Sequence, residues 1–170
     1  PLPMLPSMAK IPKVIPSTGA FPAFDVGGTN TRSARVHFHP EGSPTLQNMC
    51  KGKMPGSNSP VSIETFYHQL CEVLQPNLNT KEALGYCFSY AFDEKNRLLH
   101  WTKGIQAPEV VGTDVVDGLK NALSKRGIND VKITILNDTV ATLLAAYASS
   151  ENKPYAGYVG FILGTGVNAA

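Results

Sequence analysis

The chain has 170 residues, 42% of them hydrophobic and 16% charged, with a formal net charge of +2. A chain of that length suits one domain or slightly more and buries about 70% of its unfolded surface, so it holds a real core and is not a disordered chain. Scattered Lys and Arg exclude a basic stripe for nucleic acid, and no run of about 20 apolar residues is present to span a membrane.

Pro1, Pro3, Pro6, Pro12, Pro16 and Pro22 punctuate the opening. Fixed φ and missing N–H groups predict an extended, proline-rich lead over residues 1–20. It has no long apolar core, so it does not read as a signal peptide. Both ends look cut, and the expectation is a piece of a longer protein.

"FPAFDV" (21–26) predicts a buried strand that breaks at Gly27-Gly28. "RSARVHFH" (32–39) alternates and predicts a second strand, and "TLQNMCKGKMP" (45–55) a weaker third. "GSNSP" (56–60) reads as a loop, with Ser59-Pro60 as N-cap and first helical residue. Ile63, Phe66, Tyr67, Leu70 and Leu74 then follow at helical spacing.

"ALGYCFSYAF" (83–92) predicts a buried strand and "RLLHWTKGI" (97–105) a strand or extended loop. Thr113 is expected to cap a helix carrying Val115, Val116, Leu119, Ala122 and Leu123, with Lys125 and Arg126 in its last turn and Gly127 ending it. "VKITIL" (131–136) predicts a strand, "TVATLLAAYASS" (139–150) a helix and "YAGYVGFIL" (155–163) a final strand. A meander followed by crossovers means α/β, a mixed sheet with helices on its faces.

Cys50, Cys71 and Cys87 lack metal-type spacing and are odd in number, which predicts free thiols in a reducing compartment, the cytoplasm. His37 and His39 share a strand face without Cys or acidic partners, so zinc is not expected.

Four stretches carry chemistry. In "DVGGTNTR" (25–32) a strand ends in Asp25, two glycines and Thr29. Glycines let backbone N–H groups approach an anion, and a strand-end Asp holds a metal ion or its waters. An ordinary Gly-Gly hairpin is the bland alternative. "LGTGVNA" (163–169) is a second glycine turn. It satisfies the dinucleotide fingerprint in form, but without a following helix or a downstream acid. "LNDTVA" (136–141) places Asp138 at the mouth of a strand, where ligands of open α/β sheets sit. Asp138 reads both as a helix N-cap and as a general base. "HWTKGI" (100–105) puts Thr102 and Lys103 beside Gly104, donors that suit hydroxyl recognition or a plain surface turn.

Taken in order, "FDVGGTNTR", "FSYAF", "WTKGI", "LNDTVATLLA" and "LGTGVNAA" resemble successive motifs of the eukaryotic-type hexokinases, and "MLPS" with "STGAF" resembles their lead. The resemblance implies the actin-like ATPase, ribonuclease H-like fold: a mixed five-stranded sheet with flanking helices. It implies a small sugar-binding domain at 21–150 of a two-domain kinase, and the start of the large domain at 151–170. The implied activity is transfer of the ATP γ-phosphoryl to the 6-hydroxyl of a hexose, most of all glucose, with Mg²⁺. By motif, Asp138 is the base; Ser89, Thr102, Lys103, Asn137, Asp138 and Asn168 meet the sugar. Asp25, Gly27, Gly28, Thr29, Asn30 and Arg32 form a first phosphate region, with Asp25 on Mg²⁺ through water. Gly164, Thr165 and Gly166 form a second.

One departure is Ala91, where the family has proline after its "FSF" motif; it puts the aim of Ser89 in question. The family's two glutamate sugar ligands and its adenosine pocket lie past Ala170, so the remainder of the polypeptide is expected to complete the cleft and these 170 residues alone to be inactive. The rival expectations are a sugar-sensing protein without turnover, a generic actin-like ATPase and a dinucleotide enzyme.

Overall fold

The computed structural model describes residues 17–149, 155–164 and 166–170. The expected proline arm lies almost wholly outside them. Three strands open the fold: β1 (Gly19–Val26), β2 (Asn30–Phe38) and β3 (Thr45–Lys53). They form an antiparallel meander, as the alternation predicts. β3 is an edge strand, and its register shifts near Asn48, whose φ is +52°. Exposed Lys51 and Lys53 along that edge blunt further strand pairing.

Helix α1 (Ile63–Leu74) follows, then β4 (Ala83–Phe88), α2 (Val115–Ser124), β5 (Lys132–Leu136) and α3 (Asp138–Ser149). β4 pairs parallel with β1, and β5 parallel with β4, giving the sheet order β3-β2-β1-β4-β5. The expected mixed five-stranded sheet is present. Its topology has one functional consequence: β1, β4 and β5 all end at the same edge.

The expected last strand is shorter and lies elsewhere. Only Phe161–Leu163 (β6) is extended, and it pairs antiparallel with β7 (Val167–Ala169) in a separate ribbon. "ALGYCFSYAF" is likewise strand only to Phe88; past Ser89 the chain folds back and bridges Phe92 to Leu98.

The core lies between the sheet and α1 with α2. Phe66, Leu70 and Leu74 of α1 and Val115, Leu119 and Leu123 of α2 are fully buried against Phe24, Val26, Leu84, Tyr86 and Phe88. Each such side chain contributes about 1.5–3 kcal/mol relative to exposure. On the far side of β4, Ala83, Gly85 and Cys87 are not buried with this cluster.

Both helix starts differ from expectation. The N-cap of α1 is Ser62, whose hydroxyl accepts from Thr65 N–H at 3.2 Å. The amide of Val61 bonds the Gln106 carbonyl at 2.9 Å, which keeps the chain extended past Pro60. Asp114, not Thr113, caps α2 by accepting from Val116 and Asp117; Thr113 donates its hydroxyl to the Val110 carbonyl. Gly127 ends α2 at φ +78°, as expected. Lys125 and Arg126 lie just beyond the helix and tie it to α1, through Glu64 and through His68 and Gln75.

Arg35 binds Glu82 through both guanidinium nitrogens and also donates to the Asn77 and Ala20 carbonyls. That pairing holds the Glu82 carboxyl below its ordinary range. It ties the turn before β4 to the middle of β2. All three cysteines are free thiols. Among the described residues no helix is long and apolar enough to cross a membrane.

Candidate active site

The shared edge of β1, β4 and β5 gathers most of the residues singled out by motif. Asp25 of β1 is the ladder partner of Cys87 on β4, and Cys87 that of Leu136 on β5. Asn137 and Asp138 follow directly. Two glycine turns and the loop around Lys103 close over this edge.

Asn137 is the N-cap of α3 by position, since its carbonyl takes the Ala141 amide at 2.9 Å. Its Oδ1 accepts from the Thr139 N–H at 3.1 Å and from Asn168 Nδ2 at 3.1 Å, and its own Nδ2 donates to the Phe88 carbonyl. One asparagine thus joins β4, α3 and the ribbon. Asp138 occupies the first helical position. Its Oδ1 accepts from Thr139 twice, from N–H at 2.8 Å and from the hydroxyl at 3.1 Å. Cap and candidate base are therefore neighbours that share one amide, with Asn137 in the capping position.

Asp25 is partly buried near Asp138. Burial pushes the Asp25 carboxyl above its ordinary value, the Arg32 guanidinium opposes this, and the Asp138 charge adds to it. Cys87 lies between the two acids, and burial with both charges pushes its thiol up to about 12. At neutral pH that thiol keeps its proton and is no nucleophile.

Arg32 stands opposite Asp25 in the β1–β2 ladder and pairs with it at 3.1 Å, with about half of its side chain still exposed. The turn itself closes when Gly27 N–H reaches the Asn30 carbonyl at 3.0 Å, and the Thr29 carbonyl accepts from Met54. Ser89 continues the β1–β4 ladder with its amide on the Val26 carbonyl at 3.1 Å, which keeps it beside the turn even with Ala91 in place of proline. Thr102 is exposed.

Lys103 sits between the two turns. It adopts φ +65°, followed by Gly104 at +72°. A Cβ on Gly28 would lie 2.5 Å from Lys103 Cδ, and one on Gly166 3.2 Å from Cε. Gly28 has no room for a methyl group unless the lysine moves. The Lys103 ammonium lies 5.3 Å from the centre of the Tyr90 ring, a cation–π distance. "WTKGI" therefore reaches both glycine turns, which its sequence spacing does not disclose.

The second turn is a hairpin. Gly164 N–H bonds the Gly166 carbonyl at 2.9 Å, and β7 returns antiparallel to β6. Thr165 lies outside the described residues. A dinucleotide site needs a helix N-terminus here, so the fingerprint match is one of form only.

Tyr90 and Cys87 belong to this site without having been marked as candidates for it. Cys87 had a signal, because it alternates with the buried Tyr86 and Phe88 on the strand that runs into Ser89. Tyr90 continues the Tyr86 and Phe88 alternation, which marks it as core, while its contacts with the glycine turn and Lys103 are distant in sequence.

The Hexokinase family model matches residues 1–148. The chain belongs to the hexokinase family. Hexokinase-1 of Saccharomyces cerevisiae is 33% identical over 99% of this chain, and the hexokinase of Schistosoma mansoni 36% identical over 90%. The chain spans about a third of these curated relatives, 36% and 35% of their lengths. The solved structure of the Schistosoma mansoni hexokinase complexed with glucose superposes with a TM-score of 0.71 at 33% identity, over 90% of this chain and 36% of that one. A ROK hexokinase from Thermus thermophilus shares the fold alone, with a TM-score of 0.54 at 16% identity over 76% of this chain and 38% of that one. The hexokinase fold expected from the motifs is thus established for this chain.

Proposed function

We propose that the full-length protein carrying this chain transfers the γ-phosphoryl group of ATP to the 6-hydroxyl of a hexose, with glucose the preferred sugar. One observation carries the proposal. In a chain of the hexokinase family, Asp138, Asn137, Asn168 and Lys103 meet the Gly27-Gly28 turn at a single sheet edge. The glucose complex of the Schistosoma mansoni relative supports the choice of sugar.

In this reading Asp138 takes the proton of the attacking hydroxyl, its carboxylate oriented by Thr139. Asn137, Asn168, Thr102 and Ser89 hold the other hydroxyls, and Lys103 offers its ammonium to sugar and phosphoryl alike. Backbone N–H groups of Gly28, Thr29 and Asn30 and the Arg32 guanidinium meet phosphate oxygens, while Gly27 closes the turn on Asn30; the turn at Gly164, Thr165 and Gly166 joins them across the cleft. Asp25 suits Mg²⁺ held through water: burial makes its charge costly, and a cation would offset that cost. Mg²⁺, when bound, supplies positive charge to the nucleotide phosphates.

A second domain of the same polypeptide completes the cleft in this proposal, and the boundary falls near residue 150. Val159, Phe161, Leu163 and Val167 are more than half exposed, an apolar surface that such a domain covers. The 170 residues alone are then inactive. The free thiols suit a cytoplasmic protein.

Thermal melts of the full-length protein test the assignment. Glucose alone should raise the melting temperature, because the sugar residues converge before any nucleotide is present. Protection by ATP with none by any hexose would favour an ATPase instead.

A further inference from the structure

Tyr90 carries none of the roles above, yet it touches both halves of the site. It is 2% exposed. Its hydroxyl lies within donating distance of the Gly28 carbonyl at 3.4 Å and the Gly27 carbonyl at 3.5 Å. Its ring carries the Lys103 ammonium on one side, at 5.3 Å. The ring also meets Trp101 edge-on at 4.8 Å, and Trp101 is anchored by its Nε1–H on the Ala107 carbonyl at 2.6 Å. A line of rings, Phe24, Tyr86, Phe88 and Tyr90, joins it to the core.

We propose that Tyr90 is a positioning residue that sets the first glycine turn and Lys103 relative to each other, its hydroxyl acting on the nucleotide side and its ring on the lysine. This rests on the kinase reading above. The peptide unit is planar and trans, so a carbonyl and the N–H of the next residue point in opposite directions. Drawing the Gly27 carbonyl towards Tyr90 turns the Gly28 N–H away from it. Drawing the Gly28 carbonyl does the same for Thr29. Two glycines have little conformational preference of their own, so an external tether matters more here than elsewhere in the chain. Both hydrogen bonds are long, and the hydroxyl has one proton to share, so the effect is of modest size. The ring face holds the ammonium over the same turn by cation–π attraction.

The test compares Tyr90→Phe and Tyr90→Leu with wild type in the full-length protein. Steady-state KM is read separately for ATP and glucose, and Kd for ATP by calorimetry. Loss of the hydroxyl should raise the ATP KM and Kd by roughly 2- to 10-fold, the worth of one net hydrogen bond. The glucose KM should stay within about twofold of wild type, since Phe keeps the ring under Lys103. Tyr90→Leu removes the ring and should worsen both substrates. Unchanged ATP values in Tyr90→Phe, or equal rises for ATP and glucose, would overturn the proposal. If Tyr90→Leu does not fold, Tyr90→Phe decides alone. A wild type that binds ATP without transferring phosphoryl to any hexose would contradict the kinase reading, while the Kd comparison would still decide the role of Tyr90. A wild type that binds no ATP would contradict both.

Discussion

Asp138→Asn in the full-length protein should lower kcat by about 10²–10⁴, or about 2.7–5.5 kcal/mol of barrier, with little change in stability or in glucose KM. The separation of effects follows from the local geometry. Asp138 Oδ1 accepts both Thr139 bonds, and an Asn amide oxygen accepts them equally well. The N-cap belongs to Asn137 and is untouched. The amide lacks only the ability to take a proton. Steady-state kinetics beside a thermal melt measures both halves. A variant with wild-type kcat would remove Asp138 as the base. A variant that loses activity only because it melts would return it to a structural role.

Lys103→Met is the second large effect, a fall of roughly 10²–10³ in kcat at saturating glucose and ATP, the size typical of deleting one preorganised donor at a site of developing charge. Met keeps an unbranched chain that fills the space over Gly28 and Tyr90, so packing is largely preserved. What disappears is the positive charge between the two glycine turns. The division between kcat and KM tells two roles apart. An interaction made only in the transition state lowers kcat, whereas one made equally with bound sugar raises glucose KM alone. A rise in glucose KM with kcat intact would confine Lys103 to hydroxyl binding and leave charge stabilisation to other groups.

Much of the fold was legible because its signals are local and repeated. The alternation of β1 and β2, the helical spacing from Ile63 to Leu74 and the glycine at 127 each report their own element. The strand-end acids were legible for a related reason: a strand followed by Gly-Gly or by Asn-Asp announces where a parallel sheet exposes its ligand edge. Helix starts were not legible. Ser59-Pro60 is a sound cap pair in isolation, and it lost to Ser62 because Gln106 takes the Val61 amide from across the chain. Thr113 lost to Asp114 because its hydroxyl is drawn to Val110. "YAGYVGFIL" reads as a long strand from its β-branched and aromatic content, yet only its end pairs, Gly160 to Leu163, and in a ribbon rather than the main sheet.

Within the site, the residue types were legible and their partners were not. Arg32 is marked by its place after the glycine turn, and its pairing with Asp25 across two antiparallel strands is not. Lys103 looks like part of a sugar loop, and only the fold brings its stem against Gly28 and Gly166. Tyr90 reads locally only as a core aromatic after Tyr86 and Phe88, and its contacts with the glycine turn come from the fold. The contacts of Lys103 and Tyr90 with the first glycine turn join segments dozens of residues apart, which periodicity and turn chemistry do not encode.

The central claim is that this sheet edge moves a phosphoryl group from ATP to a hexose hydroxyl rather than to water. It is tested most directly by following ³¹P NMR spectra of the full-length protein with MgATP in the presence and absence of glucose. A sugar 6-phosphate resonance should grow one for one with ADP, with little inorganic phosphate when glucose is omitted. ADP and inorganic phosphate produced at the same rate with and without glucose, and no sugar phosphate, would contradict it.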